Sequence, residues 1–247
     1  MNALVTSIRE SYLQTLDHIS NAARKSSRNP EDIRLVVVTK SQPVEVVQAA
    51  IEAGVRIFGE NYPEEGVTKI QSLSGQSGVE WHMIGHVQSR KARLVVDHFA
   101  LLHSLDSFKL AQRLNRFAVE RNHTLPVLLE FNVGSEESKS GWDASDESQW
   151  DKLFPEIASI VDLPNLRIHG LMTMPPLGTH PEESRRFFKR LRLLRDHLTT
   201  QFPRADWREL SMGTSADYAV AVTEGATLVR VGTAIVGARK IKSENQA

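Results

Sequence analysis

The sequence contains no cysteine. This absence excludes disulfides, cysteine nucleophiles and thiolate metal sites. Long apolar runs are also missing, since segments such as residues 35–38 fall far short of the roughly 20 residues that a membrane-spanning helix needs. With 30 basic and 30 acidic side chains, the chain has no excess of positive charge that would favour nucleic acid. We therefore expect neither an integral membrane protein nor a nucleic-acid-binding protein.

Two further signals are missing. The first residues, MNALVTSIRESYLQ, show no basic region followed by an apolar core, so no secretory signal is predicted and the expected compartment is the cytoplasm. The nine histidines show no HxH or HExxH spacing, so we expect no metal site.

The segments that are present alternate between two patterns. A first amphipathic helix is predicted at about residues 5–27, because apolar side chains recur three or four positions apart at Ile8, Tyr12, Leu16, Ile19 and Ala23. Short apolar segments then predict eight strands, at residues 34–40, 56–61, 80–85, 100–106, 126–133, 167–174, 209–213 and 227–237. Amphipathic segments between them predict helices at residues 44–53, 89–97, 108–121, 150–160, 182–198 and 216–224.

Strand followed by helix, repeated, favours parallel strands joined by crossovers. The sequence therefore predicts an α/β fold, a single (β/α)8 TIM barrel at about residues 33–239 with an extra N-terminal helix, in one domain over residues 1–247. The alternative is an open doubly wound sheet. Residues 135–148 are interpreted as a long loop, and the basic run at residues 185–195 as the solvated face of a barrel helix.

The carboxyl ends of barrel strands form the active face of this fold. The first predicted strand ends at Lys40, and Val36, Val38 and Lys40 share one side of it by the two-residue period. Partial desolvation at the barrel mouth would favour the neutral amine, the form that attacks an aldehyde. The alternative is a surface lysine paired with a carboxylate.

The last two predicted strands end in SMGTS and GT, which are small and hydroxylated residues. Barrels often bind phosphate in these loops. Alternatively, Ser211, Thr214 and Ser215 cap a helix. Arg230 lies inside an apolar run, where its charge needs a partner, either a carboxylate or a neutral pyridine nitrogen. Together the lysine, the phosphate loops and the arginine favour a pyridoxal phosphate (PLP) site.

Eight motifs carry a resemblance to a known family, from about residue 35 to residue 239. They are LVVVTKSQP, IFGENYPEE, WHMIGHVQSRK, LLHSLDS, FNVGSEESKSGW, IHGLMTMPP, LSMGTSADY and LVRVGTAIVGAR. In order and spacing they resemble the pyridoxal phosphate homeostasis proteins. The resemblance implies a barrel like the N-terminal domain of alanine racemase, with PLP as cofactor and no established catalytic activity or catalytic residue.

The resemblance also implies roles for individual residues. Lys40 would hold PLP as a Schiff base, Arg230 would face the pyridine nitrogen, and the remaining cofactor-binding residues would hold the phosphate (Ser211, Gly213, Gly232, Thr233) or line the ring pocket (Asn61, His82, Met212). Four positions depart from the family pattern: His86, Arg90, Thr214 and Ala219. These departures concern the rim of the site.

Three functions follow as hypotheses. The first is a PLP-binding protein of vitamin B6 homeostasis without turnover, because no second domain that could supply another acid/base group is expected after the eighth strand. The second is a small PLP-dependent racemase or lyase that uses Lys40 as its base. The third is a regulatory interaction protein. Expected partners are therefore PLP and either PLP-dependent apoenzymes or a regulatory protein, and the resemblance suggests a monomer.

Overall fold

The computed structural model describes residues 2–136, 139–176, 178 and 180–238. Its helices are α1 (Ala3–Lys25), α2 (Val44–Glu52), α3 (Pro63–Ser72), α4 (Ala92–His98), α5 (Phe108–Glu120), α6 (Phe154–Val161), α7 (Arg185–Gln201), α8 (Tyr218–Thr223) and α9 (Thr233–Val236). Its strands are β1 (Arg34–Val38), β2 (Ile57–Glu60), β3 (Glu80–Met83), β4 (Leu101–Leu105), β5 (Leu125–Asn132), β6 (Trp142–Asp143), β7 (Leu166–Met172), β8 (Glu209–Ser211) and β9 (Leu228–Val231).

Eight of these strands close into a parallel barrel. The order β1-β2-β3-β4-β5-β7-β8-β9 returns to β1, because β9 pairs with β1 and β4 pairs with β5. Among the described residues, β6 pairs with the end of β5 alone, outside this ring. The predicted α/β barrel is confirmed, and the open doubly wound alternative is wrong, since an open sheet would leave two edge strands unpaired.

Two hydrophobic clusters lie on opposite sides of the barrel wall. The larger one fills the space between strands and helices, and it includes Leu35, Val37 and Leu129. The smaller one consists of Val36, Leu101, Leu128, Met172 and Leu228. Because successive strand residues point to opposite faces, the smaller cluster lies inside the barrel.

The extra N-terminal helix, α1, packs against α2 and α8 on the outside of the barrel. Of its predicted apolar stripe, Ile8, Ile19 and Ala23 are buried, and the others pack on the core from half-buried positions. The helix continues into a connection in which Arg28 donates to the carbonyl oxygens of Val222 (2.7 Å) and Ala226 (2.8 Å). The N-terminal segment is thereby tied to the last barrel unit.

Some predicted boundaries are wrong. The eighth strand, predicted at residues 227–237, ends at Val231, and α9 begins at Thr233 with Gly232 as its N-cap. Apolar runs of this length do not distinguish a strand from a short buried helix. Within the predicted loop of residues 135–148, Trp142 and Asp143 form β6, and α3 is not among the predicted helices. The predicted end of the barrel at residue 239 lies outside the described residues.

The basic run lies on α7 and is largely paired. The apolar residues between the basic ones, Phe187, Phe188, Leu191 and Leu194, are buried against the barrel. Arg185 and Arg192 pair with Glu224, at 2.6 and 3.4 Å. The run is therefore explained as the outer face of a barrel helix. None of the helices in the described part of the chain combines the length and apolarity needed to cross a membrane.

Candidate functional site

Polar side chains converge at the carboxyl ends of the barrel strands, which we call the mouth. The inner cluster fixes which residues point inward, because side chains two positions apart share a face. Val38, Glu130 and Arg230 point inward, because they lie two positions after Val36, Leu128 and Leu228, and Lys40 follows in the turn two residues after the end of β1. The mouth therefore combines two basic groups and one carboxyl group above an apolar floor.

Lys40 lies in a turn directly after β1 and is half-buried. The turn is constrained on both sides. The Thr39 N–H donates to the Gly59 carbonyl of β2 at 3.1 Å, and Ser41 has a φ of +60°, a left-handed conformation that is uncommon for serine. The predicted first strand thus ends two residues early, at Val38, and Lys40 lies in the turn that follows it.

A buried ion-pair network supports this turn. The Lys69 ammonium group donates to the Thr39 carbonyl oxygen at 2.6 Å, to Glu60 Oε1 at 2.8 Å and to Glu65 Oε1 at 2.6 Å. Glu65 Oε1 also accepts the Ser41 N–H at 2.6 Å. Lys69 is only 3% exposed, so its charge depends on these three acceptors. The network binds both residues that flank the mouth lysine.

The two glycines of the predicted phosphate loops approach neighbouring chain closely. A Cβ atom at Gly232 would lie 3.0 Å from the Val38 carbonyl oxygen, so this loop packs directly on the end of β1. Gly213 has a φ of +92°, and a Cβ atom there would lie 2.6 Å from that of Ala221. The loop at Gly213 therefore requires glycine, and the loop at Gly232 packs tightly beside the turn that carries Lys40.

The hydroxyl groups in these loops have separate roles. Thr214 bonds Asp217 through its N–H (2.7 Å) and its hydroxyl group (3.1 Å), which is a local turn that precedes α8. The Ser215 hydroxyl oxygen accepts the Gly232 N–H at 3.4 Å and so joins the two loops. Thr233 is exposed at the start of α9.

Arg230 is buried at the mouth, with 4% exposure. Its guanidinium group donates to the Thr173 carbonyl oxygen (2.9 Å), to Met174 Sδ (3.0 Å) and to the Ser211 hydroxyl oxygen. Burial lowers the pKa of Arg230 to about 10, although Glu130 and Asp217 act against this shift. Among the described residues no carboxylate lies within salt-bridge distance of Arg230, and its hydrogen-bond acceptors are all uncharged.

A chain of buried hydrogen bonds extends from Arg230 into the barrel. Ser211 Oγ lies 2.8 Å from His103 Nδ1, His103 Nε2 lies 2.9 Å from His82 Nδ1, and His82 Nε2 lies 2.7 Å from Glu80 Oε1. Both histidines and the serine are inaccessible to solvent. Burial lowers the pKa of His82 and sets that of His103 well below its usual value, so both rings are neutral.

Besides Glu60 Oε2 in the ion-pair network, two buried polar atoms at the strand ends have no hydrogen-bond partner among the described residues. They are Asn61 Oδ1, just after β2, and Glu130 Oε2, on β5. Burial raises the pKa of Glu130 to about 7, and the nearby carboxylate of Asp106 acts in the same direction. Asp106 in turn accepts a 2.7 Å hydrogen bond from His86 at the rim. Unpartnered buried polar atoms are costly unless a ligand satisfies them.

The structure thus brings together most of the predicted residues, but not in the predicted roles for all of them. Met212 is fully buried in the main core, so its side chain does not line the mouth. His82 is separated from the mouth by His103, and the Ser211 hydroxyl is engaged with His103 and Arg230. Ser211 therefore does not cap a helix.

Sequence reasoning missed several site residues: Thr39, Glu60, Lys69, His103 and Glu130. A signal was present for two of them. Glu130 interrupts the apolar run PVLLEFNV just as Arg230 interrupts its own run, and His103 follows Leu101 at the two-residue period of an inner face.

Comparisons with known proteins agree with this architecture. A sequence model of the alanine racemase N-terminal domain family matches residues 13–240. The chain is 40% identical over 237 residues to a pyridoxal phosphate homeostasis protein of Vibrio alginolyticus, covering 93% of this chain and 98% of that one. It is 39% identical over 234 residues to a protein of the same name from Escherichia coli K12, covering 94% and 97%.

Solved structures give the same result. PipY of Synechococcus elongatus, solved with PLP bound, is 36% identical and superposes with a TM-score of 0.76, covering 89% of this chain and all of that one (100%). Alanine racemase of Clostridium difficile is 17% identical with a TM-score of 0.70, and the match covers only 57% of that enzyme, so it shows a shared fold alone. By both sequence and fold, the chain belongs to the pyridoxal phosphate homeostasis protein family, whose barrel is that of the alanine racemase N-terminal domain.

Proposed function

We propose that this chain binds PLP covalently through Lys40 and serves in the homeostasis of intracellular PLP, without catalytic turnover of its own. The observation that carries the proposal is the convergence of Lys40, Arg230 and the two glycine loops at one barrel mouth. The names of the relatives and the PLP-bound state of PipY support it.

The residues at the mouth fit this cofactor. PLP combines an aldehyde, an anionic phosphate and a polar aromatic ring, and the mouth offers an amine, close backbone turns and buried polar atoms without partners. Gly213 and Gly232 pack closely on Ala221 and Val38, which sets the positions of the two loops whose backbone would approach the phosphate.

When bound, PLP supplies a carbonyl group that amines attack and a ring that withdraws electrons. Lys40 would provide the amine. Arg230, with a pKa of about 10, remains protonated at neutral pH, so it would donate to the ring nitrogen and discourage protonation there. The backbone N–H groups of Gly213 and Thr233 would hold the phosphate, and the Gly232 N–H would join them in place of its 3.4 Å contact with Ser215, while Asn61 would contact the ring. A ring kept unprotonated is a weaker electron sink, which favours holding over turnover.

The absorption spectrum of the protein titrated with PLP tests the proposal. We expect a band near the violet edge of the visible spectrum, and after borohydride reduction we expect the cofactor on the peptide that bears Lys40. Lys40→Ala should abolish both signals. Lys91→Ala is the matched control, because Lys91 is ion-paired to Glu64 at 2.7 Å on the surface and should retain both. A protein that stays colourless with excess PLP would refute the proposal.

A second candidate function is a small PLP-dependent racemase or lyase. Glu130 favours it, because a buried carboxyl group with a pKa of about 7 near Arg230 could exchange protons at neutral pH. A substrate screen at natural enzyme concentration distinguishes the two functions. Turnover that exceeds the Lys40→Ala background and falls in Glu130→Gln would favour the enzyme.

The proposal extends to partners. A PLP holder acting in the cytoplasm as a monomer would deliver its cofactor to PLP-dependent apoenzymes or report it to a regulatory protein. A pull-down with and without PLP tests this, since a regulatory partner should be retained only in one of the two states. Equal recovery in both states would count against a partner that responds to the cofactor.

A further inference from the structure

A single row of side chains crosses the inside of the barrel from one end to the other. It begins at Glu80 at the start of β3, passes through His82 and then His103 of β4, and ends at Ser211 and Arg230 on β8 and β9. In the closed barrel β4 and β8 are not neighbours, so the row crosses the barrel interior and does not follow the wall. We call this row the relay.

The direction of every hydrogen bond in the relay follows from its two ends. The Glu80 carboxylate only accepts, so His82 Nε2 carries the proton and His82 Nδ1 must accept from His103 Nε2. Arg230 only donates, so the Ser211 hydroxyl oxygen accepts from it, and the Ser211 O–H donates a hydrogen bond to His103 Nδ1. Both ends demand the same arrangement, with each histidine as the neutral Nε2–H tautomer.

The two histidines of the relay are also closed off from solvent. His82 and His103 are both 0% exposed, whereas 42% of the Glu80 side chain is exposed. Near this open end, Arg34 pairs with Glu209 at 3.0 Å, and both influence His82 electrostatically. Removing the acceptor at Glu80 would leave the buried N–H of His82 without a partner. Because each hydrogen bond of the relay sets the direction of the next one, the hydrogen bonds of His103 and Ser211 would change as well.

We propose that Glu80, His82 and His103 are positioning residues that orient the Ser211 hydroxyl group and, through it, the Arg230 guanidinium group at the cofactor ring. This proposal rests on the proposed function for its consequence at PLP, but not for the relay itself. It explains why two histidines lie in the barrel interior without reaching the mouth. Ser211 serves as the acceptor that fixes one guanidinium N–H, while the Thr173 carbonyl oxygen fixes another.

Nitrogen NMR of the histidine side chains tests the relay without any cofactor. Spectra are assigned with His82→Gln and His103→Gln variants. We expect both rings to show the neutral Nε2–H pattern, unchanged between pH 6 and pH 8. A Nδ1–H tautomer or a charged ring at either position would overturn the proposal, because the donor order would then be broken.

Titration with PLP tests the consequence at the mouth. Glu80→Met should weaken PLP binding about tenfold, which corresponds to roughly 1.4 kcal/mol, and shift the absorption maximum of the bound cofactor. Glu80→Gln keeps an oxygen that accepts from His82 and should stay close to the parent protein. Asp206→Asn is the matched control, since Asp206 precedes β8 and pairs with Arg208 at 2.9 Å.

Parent-like binding and spectrum in Glu80→Met would overturn the proposal, and so would an equal loss in Asp206→Asn. If the parent protein itself does not bind PLP, the proposed function fails, and the NMR result still decides whether the relay exists. Because Glu80 is partly exposed, its substitution leaves the fold intact, which circular dichroism of each variant verifies.

Discussion

At the scale of single residues, the Glu130 carboxyl group at the mouth titrates near neutral pH. Its carboxyl group is 8% exposed and its Oε2 atom has no partner among the described residues. The folded pKa of about 7 exceeds the reference value of 4.5, so the folded state favours the protonated form. This contribution to stability is complete below about pH 4.5 and is lost as the pH rises through 7.

The Glu130→Gln variant should therefore gain stability relative to the parent protein as the pH rises. Between pH 4.5 and pH 8 the relative gain in the free energy of unfolding should approach about 3 kcal/mol, because each pKa unit corresponds to about 1.4 kcal/mol. Urea denaturation of cofactor-free protein at several pH values measures it. A difference between the two proteins that stays constant with pH would contradict the assigned pKa shift.

Residue identity alone located only part of the site. Arg230 could be predicted because a charge inside an apolar run requires a partner. The same logic applied to Glu130 but was not used. For His103, the two-residue period linked it to Leu101 without showing that this face of β4 points inward. The predicted roles of His82 and Met212 did not account for contacts with distant segments. His82 contacts His103 of β4, and Met212 packs in the main core.

At the scale of elements, the turn after β1 depends on α3. Lys69 of α3 holds the Thr39 carbonyl group and two carboxylates, and Glu65 holds the Ser41 N–H. The predicted helices filled the gaps between strands, but no range was given for α3, and its contact with the turn that carries the lysine was not predicted. Helix α3 thus supports the turn that positions Lys40.

Lys69→Met should destabilise the protein by about 3 kcal/mol, because it leaves the Glu60 carboxylate buried without its cation. The double variant Lys69→Met, Glu60→Gln should recover much of this loss, since the unpaired charge is removed as well. Thermal and urea denaturation measure both. A double variant no more stable than the single one would show that charge burial is not the source of the effect.

The boundaries of the elements were predicted less well than their order. The apolar run after residue 227 changes from strand to helix at Gly232, whose close approach to β1 ends the strand pairing. β8 has only three residues, Glu209–Ser211, although the predicted strand extended to residue 213. These ends depend on contacts between distant segments, which hydrophobic periodicity does not encode.

At the scale of the whole molecule, the barrel brings the first and last units of the chain together. Repeated strand and helix patterns were sufficient to predict closure, which pairs β1 with β9. Closure in turn places Lys40 beside the loops after β8 and β9, although about 170 residues separate the lysine from Gly213 in sequence. The proposed cofactor would therefore link the two ends of the fold.

PLP binding should accordingly stabilise these two ends more than the rest of the barrel. At PLP concentrations of about 100 times the dissociation constant, binding contributes roughly 2.7 kcal/mol to the folded state. Hydrogen exchange measured by mass spectrometry should slow most in peptides that span residues 34–42, 209–218 and 228–236. Peptides from β4 and α5, on the far side of the mouth, should change little, and Lys40→Ala should lose much of the effect. Protection spread evenly over all strands would mean that the cofactor does not bridge the first and last units, because a ligand held elsewhere would leave these segments no more protected than their neighbours.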